Sequence, residues 1–343
     1  MITIYSEDHR KRDALTELYG GQLIPPFEKP SRMDFILERI HSQGLGDVFA
    51  PRDFGLDSFL EIHNREYVTF LQEAWGEWAA AGMKGEAIAS SWPARGMRPI
   101  CPTEIDGKLG YYSLAAETSI TEGTFAAARA SANVALEGAA RLMQEKALFS
   151  LCRPPGHHAA SDLYGGYCFF NNAALASQSL LNQGAERIAI LDVDFHHGNG
   201  TQDIFYDRSD VLFISIHGQP QDAFPYFLGY ADERGTGEGE GYNLNLPLAP
   251  ATPFEPWRAA LNVAMERISK FSADALVISL GTDTFERDPI SFFKLTSDDF
   301  FTYGGDLASL RLPTLFVMEG GYAVEEIGVN AVNVLQGFED AQD

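Results

Sequence analysis

Residues 187–200, RIAILDVDFHHGNG, constrain the chain most. An apolar run from Ile188 to Leu191 leads directly into Asp192, Asp194, His196 and His197, then Gly198-Asn199-Gly200. A short, β-branched apolar run that ends in a polar cluster reads as a buried strand carrying side chains at its tip. Side chains two apart on an extended strand share a face. Asp192, Asp194 and His196 therefore point the same way if the strand continues. Asp194 and His196 offer one oxygen and one nitrogen to a common point, which is half of a metal site.

The same grammar recurs along the chain. Strand-like runs occur at 2–5, 147–152, 187–192, 211–217, 242–247, 274–281 and 313–319. Helical patterns occupy 173–183, 200–206, 255–271, 297–309 and the C-terminal stretch. Alternating strands and helices with near-continuous apolar strands predict an α/β domain, with a parallel sheet covered on both faces. The first half is less regular. Residues 7–30 read as a loop, Ser31 caps a helix to about His41 with Phe35, Ile36 and Ile40 on one face, and 65–81 read as a helix with an aromatic stripe. Residues 82–112 read as a structureless insertion, of the kind that forms a lid, a binding loop or an interface. Ser119-x-x-Glu122 matches a capping box for an Ala-rich helix to about Lys146. No repeat or low-complexity linker interrupts residues 1–343, which predicts one domain.

Composition excludes several function classes. The formal net charge is −23, from 25 Lys+Arg against 48 Asp+Glu. Nucleic acids and anionic membranes favour basic surfaces, so neither is an expected partner; a cationic ligand is. No apolar run reaches the ~20 residues of a membrane helix, and MITIYSEDHR does not read as a signal peptide. Cys101, Cys152 and Cys168 form no C-x-x-C pair and point to a reducing cytoplasm.

Ligands of open parallel sheets bind at the carboxyl ends of the strands. Four such ends are chemically loaded: RPPGHH (153–158), DVDFHHGNG (192–200), GTDTFERDP (281–289) and EGGY (319–322). Asp283 would complete a site with Asp194 and His196. Two carboxylates and one imidazole with room for water match an open catalytic zinc site, and would also accept Fe(II) or Mn(II). Any one of these Asp residues could simply cap a helix, and any one His could be a satisfied core group; the set at converging strand ends favours a metal. His157-His158, on a stiff Pro-Pro-Gly turn, offers a general base, with Asp192 and Asn199 as candidate orienting partners. A second metal centre on the His pair is the alternative, but its remaining ligands would come from residues already committed. Tyr322 after Gly320-Gly321 could donate to a developing oxyanion.

RPPGHH, GGYCFFNN, DVDFHHGNG, SLGTD and EGGY, in this order, resemble the histone-deacetylase-like amidohydrolases of the arginase–deacetylase fold. SEDHRKRDALTELYGG, KGEAIA, PTEIDGKLGYY and FFKLTS resemble bacterial acetylpolyamine amidohydrolases, so the likeness spans essentially the whole chain. It implies a single three-layer domain with a central, mostly parallel eight-stranded sheet flanked by helices.

The resemblance also implies roles. Zinc would sit on Asp194, His196 and Asp283. His158 would be the general base toward the attacking water and later the acid toward the leaving amine. His157 would be its electrostatic partner, oriented by Asp192, while Asn199, an Asp in some relatives, sits beside His158. Tyr322 would hold the oxyanion. Gly166, Tyr167 and Phe224 would line a narrow channel for a methylene chain, and Glu17, Asp106 and Glu117 would meet the substrate's ammonium groups. One structural potassium would use Asp192, Asp194, His196 and Ser215; a second would use carbonyls near Phe205, Arg208, Val211 and Tyr242. Arginases carry Asp-Ala-His-x-Asp at the equivalent tip; DVDFHH differs, which favours one catalytic metal. The 82–112 insertion would contact a second subunit and narrow the active-site mouth in a homodimer. The expected substrate is a small cationic acetylated amine such as acetylputrescine, acetylcadaverine or acetylspermidine. The alternatives are acetyl-lysine on proteins or peptides, other small N-acylamines, and a non-catalytic module for cationic ligands.

Overall fold

The computed structural model describes residues 1–342. Ten strands form: β1 Ile2–Ile4, β2 Glu17–Tyr19, β3 Gln22–Ile24, β4 Val48–Phe49, β5 Ala147–Ser150, β6 Ile188–Asp192, β7 Val211–Gly218, β8 Asn243–Leu248, β9 Ala275–Leu280 and β10 Thr314–Met318. Eight of them make one sheet in the order β4-β1-β5-β10-β9-β6-β7-β8. Every pairing in it is parallel, so all their carboxyl ends lie along one edge.

Among the described residues nine helices accompany the strands: α1 Ser31–Gln43, α2 Arg65–Ala80, α3 Ile105–Tyr112, α4 Thr124–Glu145, α5 Asn172–Asn182, α6 Asn199–Phe205, α7 Phe254–Phe271, α8 Ser297–Ala308 and α9 Val324–Asp340. Strand side chains alternate between two cores, as the pleat demands. Leu148, Ile190, Val277 and Val317 join α2, α4 and α5 on one face. Phe149, Leu191, Ile278 and Phe316 join α1, α7, α8 and α9 on the other. Each fully buried strand residue of this kind contributes about 1.5–3 kcal/mol. Burial on both faces is why the strands read as continuous apolar runs, without polar alternation.

Four local expectations are corrected. Residues 7–30 are not a plain loop: Glu7–Lys11 is a short 3-10 helix, and β2 and β3 pair antiparallel. Gly20 and Gly21, at φ 56° and 78°, supply the tight two-residue turn between them. The 82–112 insertion is structured at its end, where α3 forms and Lys108 Nζ sits 2.7 Å from Glu77 on α2. The Ser119-x-x-Glu122 box is not realised: α4 starts at Thr124 behind Gly123, and Thr124 Oγ1 instead accepts from the Thr121 amide at 2.8 Å. A true capping box, Thr296 with Asp299, opens α8. Phe35 also turns outward, 36% exposed, while Met33, Ile36 and Ile40 face the core of α1.

Candidate active site

The site begins with strand register. Asp192, last in β6, pairs with Ser279 of β9 on one side and Ser215 of β7 on the other. The chain beyond β6 therefore runs beside the chain beyond β9. That adjacency brings Asp194 and His196 to Asp283. His196 Nδ1 lies 2.9 Å from Asp283 Oδ2 and 3.3 Å from Asp194 Oδ1. One ligand atom from each of the three lies within 4.8 Å of the others, and all three side chains are buried. Backbone amides hold the remaining oxygens: Phe195 donates to Asp283 Oδ1 at 2.8 Å, and Gly320, just past β10, donates to Asp194 Oδ2 at 2.8 Å. Gly320 has to be glycine, because a Cβ would lie 2.6 Å from Asp194 Oδ2 and 2.7 Å from Asp283 Oδ2.

The electrostatics of the trio favour a cation. Burial and the neighbouring Asp194 charge push the Asp283 carboxyl up to about 7. Burial alone would lower His196, but hydrogen bonds and charge from Asp194 and Asp283 push it up to about 10. Two desolvated carboxylates at this spacing are relieved by positive charge between them. The donor set of two carboxylate oxygens and an imidazole nitrogen fits a catalytic zinc site.

The tandem histidines lie on the turn after β5, and their roles separate. His157 Nδ1–H donates to Asp192 Oδ2 at 2.9 Å, and its Nε2 is 3.8 Å from Asp194 Oδ1. Burial disfavours its charge, but Asp194 and Asp192 outweigh burial and raise its pKa to about 10. His158 is the reverse case. Burial, with His157 and His196 beside it, holds it well below the ordinary histidine value. Its Nδ1–H donates to Asn199 Oδ1 at 2.6 Å, while the Asn199 amide nitrogen faces the His158 carbonyl at 3.4 Å. That orientation leaves the lone pair on Nε2. The two neighbours are thus pushed in opposite directions, His157 toward its charged form and His158 toward its neutral form.

A cleft of about 410 Å³ opens onto this centre, lined by His158, His196 and Tyr322 at its floor. Tyr167 and Phe224 form its walls, with Tyr167 edge-on to Tyr322 (centroids 5.5 Å) and Phe224 edge-on to His158 (5.1 Å). Gly166 lines it as well; a side chain there would collide with the His158 ring. The Tyr322 amide is fixed by Asp288 Oδ2 at 2.7 Å, and the Arg32 guanidinium lies 5.0 Å over its ring. Burial raises the Tyr322 phenol well above its usual range, so it is a proton-bearing donor.

Of the three carboxylates expected around the substrate, two line the cleft. Glu17 is buried, accepting from Tyr167 Oη at 3.2 Å and the Phe27 amide at 3.0 Å. Glu117 accepts from the Gly166 amide at 2.6 Å through Oε1. Asp106 does not line it: it is exposed on α3 and accepts from Ser90. The cleft also contains Asp222, Ile290 and Phe292, which the sequence reading missed; among the described residues no Lys or Arg lines it. Asp222 was within reach, two residues ahead of Phe224. Ser215 Oγ meets His217 Nδ1 at 2.8 Å, and Ser279 Oγ, across the ladder from Asp192, is buried without a partner. His197 bonds through Nε2 to Gln202 and Asn245 at 3.1 Å each.

An eight-stranded, all-parallel sheet flanked by helices, with the polar groups gathered at the strand tips, is the histone-deacetylase-like fold. The chain belongs to the family described as the histone deacetylase domain, which it matches over residues 26–338. It is 58% identical over 340 residues, 99% of each chain, to acetylpolyamine amidohydrolase 2 of Pseudomonas aeruginosa. It is 56% identical over 338 residues to the acetylpolyamine amidohydrolase of Mycoplana ramosa, covering 98% of this chain and 99% of that one. Its structure superimposes with a TM-score of 0.95 on a crystal structure of acetylpolyamine aminohydrolase from Burkholderia pseudomallei, at 37% identity and 99% coverage of both.

Proposed function

We propose that this protein hydrolyses the acetyl amide of acetylated polyamines or diamines, releasing acetate and the free amine. One observation carries the reading. His196 of the Asp194–His196–Asp283 trio, a His158 held toward its neutral form and the Tyr322 phenol line one cleft that holds carboxylates and, among the described residues, no Lys or Arg. The names and near full-length identity of the relatives support the same substrate class.

Zinc is the proposed metal, held by Asp194, His196 and Asp283; Fe(II) and Mn(II) suit the same donors. When bound it supplies Lewis acidity to the scissile carbonyl and to the attacking water. The chain's own groups do the rest. His158 Nε2 takes a proton from water as the water oxygen attacks the carbonyl carbon. Tyr322 Oη–H donates to the carbonyl oxygen as it becomes an oxyanion. His158 then returns its proton to the amine nitrogen as the C–N bond breaks. His157, held charged by Asp192 and Asp194, stabilises the negative charge that develops beside it. Tyr167 and Phe224 hold the methylene chain between aromatic faces, and Glu17 and Glu117 attract its ammonium groups.

Structural potassium would sit by Asp192 and Ser215, supported by the unpartnered Ser279 hydroxyl nearby. A homodimer formed through the 82–112 insertion is supported by Met97 and Ile100, 64% and 60% exposed on it. Cytoplasmic residence is supported by three unpaired cysteines; among the described residues no helix is long and apolar enough to cross a membrane. Acetate release from acetylputrescine, acetylcadaverine and acetylspermidine by zinc-loaded enzyme tests the reading. Turnover of at least one supports it. No turnover of any would favour a binding module for cationic ligands.

A further inference from the structure

The backbone ladder between β5 and β10 ends at the Ser150/Val317 pair. Beyond it, the segment after β5 carries His157 and His158, and the segment after β10 carries Tyr322. A side chain takes over where the ladder stops. Glu319, fully buried one residue past β10, accepts from the Gly156 amide at 2.6 Å and the His157 amide at 3.1 Å, both through Oε2. Its own carbonyl accepts from Arg32 at 2.5 Å, and the next amide, Gly320, donates to Asp194 Oδ2 at 2.8 Å. Its other oxygen, Oε1, is buried with no partner, and its carboxylate shares a small space with His157 and Cys168.

The geometry points to Glu319 as a positioning residue for catalysis: its carboxylate holds the Gly156–His157 backbone, and so sets both imidazoles in register with Tyr322 and Asp194. Two features favour this over a general packing role. A carboxylate is an expensive group to bury, and a shape-matched apolar side chain would fill the space without that cost. Both of its hydrogen bonds also end on the amides of the turn that carries the base; they serve no helix or sheet. A displacement of about 1 Å at a reacting group costs on the order of 10²-fold in rate.

The inference rests on the proposed deacetylase reading, so the wild-type enzyme must first turn over an acetylated diamine; its failure to do so would count against that reading, not against Glu319. Two variants then test the residue. Glu319→Gln keeps an acceptor oxygen for the two amides, and Glu319→Ala removes it. Active sites are counted with a tight-binding inhibitor, so that misfolded protein does not enter kcat. The expected result is a kcat per active site lowered about 10²-fold in Glu319→Ala, with KM within about threefold of wild type. Glu319→Gln should recover to within about fivefold of wild type. The low-field proton resonance of the His157–Asp192 hydrogen bond should shift in the Ala variant and return in the Gln variant. A Glu319→Ala enzyme with normal kcat per active site and an unmoved resonance, whatever its Tm, would overturn the inference. So would a Gln variant as impaired as the Ala variant.

Discussion

His158 donates its Nδ1–H to Asn199 Oδ1 across 2.6 Å, at the floor of the cleft. The partner is a neutral amide, whereas the adjacent His157 has a carboxylate. That difference leaves His158 neutral and its Nε2 free to accept a proton. Burial keeps its pKa below the ordinary value of 6.5. In the proposed mechanism the neutral form is the active one, so activity should survive falling pH until that low pKa is crossed. Asn199→Asp places a carboxylate on the same nitrogen, stabilises the imidazolium and should move the acid limb of kcat/KM to higher pH. Profiles of both enzymes between pH 5 and 9 check this; superimposable acid limbs would refute it.

Tyr322→Phe removes one hydrogen-bond donor and little volume. Loss of an oxyanion donor typically costs about 10²–10³ in kcat. KM should change little, since the ground-state carbonyl is bound less strongly than the oxyanion. Steady-state kinetics with a fixed acetylated diamine settle the point; an unchanged kcat would remove Tyr322 from the mechanism.

The sheet and the clustering of the candidate site residues were legible because both follow from local rules. Apolar runs such as Ile188–Leu191 fix strand direction, and in a parallel sheet all the polar tips share one edge. What failed was short or non-local. β4 is two residues long, and β2 and β3 three each, too short to show a period; the Gly20-Gly21 turn was the only signal of the hairpin. The Ser119/Glu122 pair looked like a cap, but a capping box names a pattern, and the neighbouring Thr124 hydroxyl performed that task. Asp106 and Glu117 looked alike in sequence. Only the fold tells them apart, because α3 turns Asp106 to solvent while the chain after it carries Glu117 to the cleft. Glu319 was missed for a related reason: its role lies in two backbone amides more than 160 residues away, which no motif records.

Metal loading should stabilise the fold as well as switch on activity. An ion present at 100 times its Kd adds about 2.7 kcal/mol to the folded state. Asp283→Asn replaces the oxygen facing His196 but retains the acceptor for the Phe195 amide. Thermal unfolding should show a zinc-dependent rise in Tm for the wild type, reversed by a chelator, and a much smaller rise for the variant. Equal shifts in the two proteins would place the metal elsewhere.

Glu117 spends Oε1 on the Gly166 amide and the Thr118 hydroxyl. Glu117→Gln keeps that acceptor and removes the charge. A charge-assisted hydrogen bond contributes about 1.5–3 kcal/mol. KM for acetylspermidine should therefore rise at least about tenfold, with kcat nearly constant, while a neutral N-alkylacetamide should show no such rise. Equal effects on both substrates would assign Glu117 a structural role.

The insertion carries its own test. Met97→Lys combined with Ile100→Asp places charge on its two most exposed apolar side chains. Sedimentation should show a dimer for the wild type and a monomer for the double variant. A monomeric, fully active wild type would contradict assembly through this segment.

Selection of small cationic acetylamines is proposed to come from a cleft that carries carboxylates and, among the described residues, no Lys or Arg, above His158 and the Asp194–His196–Asp283 trio. The most direct measurement is kcat/KM, with the same zinc-loaded preparation, for acetylputrescine, acetylcadaverine, acetylspermidine and an acetyl-lysine peptide. At least one polyamine substrate should exceed the peptide by tenfold or more. A peptide hydrolysed as efficiently as the best polyamine would contradict this selectivity.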